Sequence, residues 1–236
     1  MRAAFLTSLC IVAAAAPSAR ADGLIYQLPV DGAQIRYDIE LTISVAGQDL
    51  DLKGSVVVSS VGQTTVENEK CRWIEFKMIM NADGQERITI TKALIPEAHI
   101  GKGKSPMEHL VRAWAKEGEG EAQEVKDFKS PQATLLRAFL AAPPKNVAEL
   151  ANVEIDGKLG KLECPGITGD GEFDVENSTI GIHYENRLHE KAPFGVVSAV
   201  WKFDIKNNGQ VAIAGTLKFI PTDSNTTALS DLPDKK

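Results

Sequence analysis

The chain has 236 residues, 43% of them hydrophobic and 25% charged, and a formal net charge of −6. That length suits one domain with a substantial core. An acidic balance with no Lys/Arg cluster before Lys235-Lys236 excludes nucleic acid and anionic membrane as expected partners, because both demand concentrated positive charge.

The first residues, MRAAFLTSLCIVAAAAPSARADG, hold Arg2, an apolar run from Ala3 to Ala16, and Ala19-Arg20-Ala21, which fits a small-x-small cleavage site. Residues 1–21 are therefore expected to be a signal peptide, with the mature chain acting in the periplasm or outside the cell. The run is too short to span a membrane, and no later stretch approaches the ~18 apolar residues of a spanning helix, so no transmembrane segment is expected. Cys10 lies inside the run instead of ending it after small residues, which argues against a lipid anchor. Loss of Arg2 and Arg20 with the leader takes the 26 basic residues to 24 against 32 acidic ones, a mature charge of −8.

Cys71 and Cys164 then remain, and an oxidising compartment makes a disulfide between them the expected outcome. Such a bridge would close a loop of ~90 residues and stabilise by about 4 kcal/mol in the chain-entropy model. Neither cysteine has a histidine or second cysteine at metal-ligand spacing.

In chain order, IRYDIELTISV (35–45) alternates without a fault and predicts a long strand with one wet face. The turn AGQD leads to a second alternating run, CRWIEFKMIM adds Ile74, Phe76, Met78 and Met80 on one face, and NADG reverses the chain into ERITITKAL. Four strands in meander order point to an antiparallel sheet.

The middle of the chain changes period. Ser105-Pro106-Met107-Glu108 carries three helix-start signals, and Met107, Leu110, Val111 and Trp114 fall at helical spacing, predicting a helix over 106–116. Ser130-Pro131 opens a second, over 131–141, with Leu135, Leu136, Phe139 and Leu140 as its apolar stripe and Pro143-Pro144 as its stop. From about Val153 the period of two returns, with turns expected at Asp170-Gly171 and Asn208-Gly209.

These elements predict a mainly β (α+β) fold: one strongly curved antiparallel sheet or half-barrel, with two inserted helices packed on its apolar face. The expected layout is a single β-rich domain over 22–221, with a helical insert at about 105–150. A polar tail over 222–236 is expected to be disordered.

This layout resembles the half-barrel of the bacterial lipoprotein-carrier (Lol-type) proteins and their secreted relatives, and the words CRWIEF and APFGVVSAVWKF look similar to segments of uncharacterised secreted bacterial proteins. In the carriers an apolar cavity between sheet and helices receives acyl chains. The resemblance implies Met78, Trp114, Leu136 and Phe139 as cavity-wall residues, although the same letters also make an ordinary core.

Three motifs invite chemistry and each fails a physical requirement. GKGKS (101–105) lies between a strand-like run and a helix signal, but a phosphate-binding loop needs glycine where Ala98 stands. HEKAP (189–193) begins as a zinc-protease motif, yet Pro193 occupies the second histidine's place and opposes the helix that the motif requires. GDGEFD (169–174) has calcium-loop spacing at Asp170, Glu172 and Asp174, but Gly181 stands where the closing glutamate belongs.

Read as a strand, IGIHYENRLHEKAP places His183, Glu185, Arg187 and His189 on one face, with the two histidines ~20 Å apart and unable to share a metal. A hydrolase using His183, Glu185 or His189 is the least favoured reading, and no GxSxG elbow is present. The sequence thus predicts no enzyme, no cofactor and no metal. It predicts an exported binding or carrier module for an apolar or lipid-like small molecule, with an envelope structural or protein-interaction module as the alternative.

Overall fold

A computed structural model describes residues 23–82, 84–140 and 145–232. The expected leader, Asp83 of NADG, Pro143-Pro144 and Lys235-Lys236 lie outside the described residues. Among the described residues, eleven strands form one antiparallel sheet: β1 (Gln34–Val45), β2 (Gln48–Val66), β3 (Glu69–Ala82), β4 (Gln85–Pro96), β5 (Arg112–Glu117), β6 (Gln123–Glu124), β7 (Lys145–Gly157), β8 (Gly160–Val175), β9 (Ser178–Leu188), β10 (Val196–Asn207) and β11 (Gln210–Asn225).

The spatial order β6-β5-β4-β3-β2-β1-β11-β10-β9-β8-β7 describes two meanders joined at the centre. The chain runs outward from β1 to β6, crosses to the far edge, and returns from β7 until β11 pairs with β1. Tight hairpins set the register: Ala46-Gly47 and Asn208-Gly209 both take the positive φ values that a two-residue turn between twisted strands requires.

Ten interstrand steps of about 4.8 Å would make a flat sheet roughly 48 Å wide, too wide for a shared core. Yet Ala113 of β5 and Leu162 of β8 belong to one hydrophobic cluster with Ile35, Tyr37, Ile74, Phe76 and Trp201. The sheet therefore wraps around its inner face, and its edges β6 and β7 do not pair with each other.

One helix plugs that inner face. Pro131–Ala133 forms a 3-10 turn that continues into α1 (Thr134–Leu140), which buries Leu136, Phe139 and Leu140. Seven residues cannot hold a helix alone, so packing holds it, at about 1.5–3 kcal/mol for each large apolar side chain buried. The Phe139 ring sits 5.2 Å from Phe76 and 6.0 Å from Trp201, centroid to centroid. The N-terminal segment threads beneath: the Leu24 amide donates to the Phe139 carbonyl at 2.9 Å, satisfying one of the acceptors that a helix end leaves open.

The other expected helix does not form. Pro106–His109 makes one 3-10 turn, Ser105 makes no side-chain cap, Leu110 is extended, and Arg112–Glu117 is strand β5. RAWAKE fits a period of two as well as a helical one, because its inward residues, Ala113 and Ala115, are small and leave the apolar signal to Val111 and Trp114. Strand structure also resumes at Lys145, earlier than Val153, so the helical insert is much shorter than 105–150.

Asp170-Gly171 is not a turn but lies in the middle of β8; the chain reverses at Glu176-Asn177, between β8 and β9. Gly171 serves packing: a Cβ there would stand 2.4 Å from the Tyr184 hydroxyl oxygen. The expected disulfide is absent. Cys71 on β3 and Cys164 on β8 are both free and buried, and six strand spacings separate their strands.

The predicted break at Pro221 also fails, since β11 continues to Asn225. β10 has its last partner at Phe219, so beyond that point β11 pairs on one side only, where the missing proline N–H costs little. Residues 226–232 then pack on the outer face of the sheet instead of being disordered: the Leu232 amide and the Ser230 hydroxyl both bond Glu75.

Candidate ligand groove

Pro165 interrupts β8. It brings no N–H to the ladder, and the register with β7 slips: Leu150 pairs with Gly166 and Val153 with Cys164, so Ala151 and Asn152 together oppose Pro165. The carbonyl of Ala151, freed by this bulge, accepts 2.6 Å from Arg187 Nη1. Arg187 reaches it because Gly166 is bare; a Cβ there would lie 2.7 Å from the guanidinium.

Three other segments border the space beside this bulge. The β9–β10 turn supplies His189 and Glu190, and is held by His189 N–H to Gly195 O (3.0 Å) and Ala192 N–H to His189 O (3.1 Å). Tyr26 and Gln27 come from the N-terminal segment, with Gln27 Nε2 donating to Ala192 O at 2.7 Å. Lys102 comes from the glycine-rich loop that GKGKS forms. Gly195, at φ +83, lets the turn pass close to Tyr26.

The result is an open groove of about 540 Å³, within the usual size of small-molecule sites. Leu150, Pro165, Ile167, Leu188 and Tyr26 give it an apolar interior. Its polar rim holds Glu149, Glu163 and Glu190 against Lys102, a local excess of acid. His189 Nδ1 accepts the Lys191 amide at 3.1 Å, which leaves Nε2 as the proton-bearing nitrogen of the neutral ring. This arrangement can hold an amphipathic molecule; it brings no nucleophile to a base.

The residues expected to line a cavity are divided. Leu136 and Phe139 are core, Met78 packs beside them on the inner face, and Trp114 lies on the outer face opposite Ala113 and Ala115. Phe139 fills the space beneath α1 through its contacts with Phe76, Trp201 and Phe219.

His183 alternates as expected with the inward Ile182, Tyr184 and Leu188, but β9 ends at Leu188 and His189 falls in the turn that follows instead of on the strand. The neighbouring strand brings partners the sequence did not reveal: His183 Nδ1 lies 2.7 Å from Asp170 Oδ1, and its Nε2 lies 3.2 Å from Thr168 Oγ1. Asn146 Nδ2 donates to the other oxygen of Asp170 at 2.9 Å, and these bonds, that of Asn146 first and that of His183 second, hold the Asp170 carboxyl below the usual carboxylate range. Hydroxyl, imidazole and carboxylate in line look like a nucleophilic relay. The β8–β9 register sets this row, with Asp170 directly opposite His183 and Thr168 opposite Glu185. His99 and His109 stack at 3.4 Å, and among the described residues no group of three or more histidine, cysteine or acidic side chains is placed to hold a metal.

Neither the groove nor the Asp170–His183 pair was visible as a site in the sequence. The usable signal for the groove was Pro165 within a strand-like run.

No family model and no curated protein matches the chain. Among solved structures, it is similar to a putative lipoprotein from Parabacteroides distasonis ATCC 8503, at 10% identity and a TM-score of 0.36, over 87% of this chain and 100% of that one. It is also similar to a DUF1329 family protein from Desulfovibrio piger ATCC 29098, at 7% identity and a TM-score of 0.29, over 86% and 89%.

Proposed function

We propose that this protein is an exported, non-catalytic binding module that takes a small amphipathic molecule in the rim groove. The observation that carries the reading is the groove itself: beside the bulge at Pro165 lies an open space of about 540 Å³ with Leu150, Ile167 and Leu188 on its walls and three glutamates at its rim. An alkyl chain would lie along Leu150, Ile167 and Leu188, with its head group among Glu149, Glu163 and Glu190. Three carboxylates against one lysine favour a cationic or hydroxylated head over a carboxylate. The leader-like residues 1–21 support export, and the densely packed Phe139 directs a ligand to the rim instead of the interior beneath α1.

Native mass spectrometry of the protein purified without detergent tests the reading. Co-purified small amphiphile, lost when Leu150→Trp fills the groove, is expected. Recovery of the same adduct from the Leu150→Trp variant would reject the groove as its site.

A further inference from the structure

The outer face of the sheet buries charge. The register places Trp114, Lys92, Glu75 and Ser59 in one row across β5, β4, β3 and β2. Lys92 is 1% exposed and Glu75 3%, which is unusual on the solvent side of a sheet. The Lys92 ammonium lies 5.0 Å over the Trp73 ring. Ile90 and Leu94 share this face and are buried there, outside the main core cluster.

The chain's own C-terminal segment covers Glu75. After Asn225 it crosses the start of β1, where the Ala228 amide donates to Gly32 O at 2.9 Å. Gly32 permits the crossing, since a Cβ would lie 2.7 Å from the Thr226 carbonyl. The segment then lands on Glu75. Ser230 Oγ donates to Oε2 at 2.6 Å, Asp231 N–H to Oε1 at 3.0 Å and Leu232 N–H to Oε2 at 3.4 Å, while Lys77 pairs with Asp231 at 2.9 Å. Leu232 is buried beside them. Thr226 and Thr227 are exposed, with Thr227 bonded only to the adjacent Asn225, and between the two attachment points Leu229 stands 87% exposed. One buried leucine and a handful of polar contacts stand against the entropy of ordering seven residues, so a segment that makes the same contacts can take the strap's place.

We infer that the seat on Glu75 is an interaction site for an extended segment of a partner protein with a hydroxyl, an acidic and an aliphatic residue in succession. Ser230-Asp231-Leu232 fills it in cis until the partner segment replaces it. The strap shows what the seat reads: two successive backbone N–H groups meet the two carboxylate oxygens, a charge-assisted pattern that fixes register and direction. Lys77 reads the acidic residue, and the apolar surroundings of Glu75 take the aliphatic one. The proposal stands on the outer face alone and is independent of the groove.

The test uses the full chain carrying Leu232→Asp, which releases the strap, and a synthetic peptide of residues 225–232, NTTALSDL. Saturable binding followed by tryptophan fluorescence is expected, at least tenfold tighter than to the unmodified chain, whose own strap competes. Glu75→Gln added to Leu232→Asp should weaken it at least tenfold again. Absence of binding to a variant whose circular dichroism is native overturns the inference, as does equal binding to the Glu75→Gln form. A dimer that depends on residues 226–232 in sedimentation also overturns it, since the occupant would then be a second copy.

If Leu232→Asp does not fold, hydrogen exchange of the unmodified chain decides. The Asp231 and Leu232 amides should exchange at least a hundredfold faster than those of β3, by local opening. Exchange in step with β3 would mean that the strap never leaves.

Discussion

Asp170 and His183 stand directly opposite each other on β8 and β9, with 2.7 Å between Oδ1 and Nδ1. Both are nearly half exposed, so solvent screens the contact and it is worth about 0.2–1 kcal/mol. Because the folded Asp170 carboxyl sits below its unfolded value, its contribution is fully present above the usual carboxylate range of about 4. It disappears as pH falls through the lower folded value. Denaturant unfolding should therefore show Asp170→Asn less stable than the unmodified chain at pH 7, with the difference shrinking as the pH falls below the usual carboxylate range. A difference that persists at low pH would place its origin elsewhere than in ionisation.

Thr91 presents the opposite case, a polar group that the fold pays to bury. Its hydroxyl faces the core from β4, is 1% exposed, and has no hydrogen-bond partner among the described residues. Thr91→Val removes the desolvation penalty and should stabilise by about 1 kcal/mol. Calorimetry would register this as a rise in Tm of about 2–4 °C for a chain of this size.

The bare positions of β8 are spacers for Tyr184 and Arg187. Gly171→Ala would push a methyl group against the Tyr184 hydroxyl and should cost about 1–3 kcal/mol. Tyr184→Phe, which removes that oxygen, should recover most of the loss in a double-mutant cycle. Additive losses would mean that the methyl clashes with something other than Tyr184.

The two cysteines are buried as free thiols, and burial raises the pKa of each. Thermal unfolding should then be unchanged by a reducing agent. A loss of about 2–5 kcal/mol on reduction, the usual value of a native disulfide, would show that a bridge forms after all.

What the sequence disclosed was the part governed by short-range periodicity. The faultless alternation of Ile35 to Val45 and the Asn208-Gly209 turn predicted strands and a reversal where they occur. The misreadings share one cause, that a local signal has more than one physical use. Ser105-Pro106 can start a helix, but the alanines of RAWAKE were inward-facing strand residues. Asp170-Gly171 can make a turn, but here glycine makes room for a ring from the next strand. The groove and the Glu75 seat depend on pairing between distant segments, Tyr26 with Phe194 and Ser230 with Glu75, and no window of sequence contains both partners.

The most direct test of the groove is an isothermal titration of dodecylamine and of lauric acid into the unmodified protein and into Leu150→Trp. Saturable binding of the amine, weaker binding of the acid, and loss of both in Leu150→Trp is the predicted result. Binding unaffected by Leu150→Trp, or no saturable binding of either amphiphile, would contradict the proposal that this rim groove is the protein's ligand site.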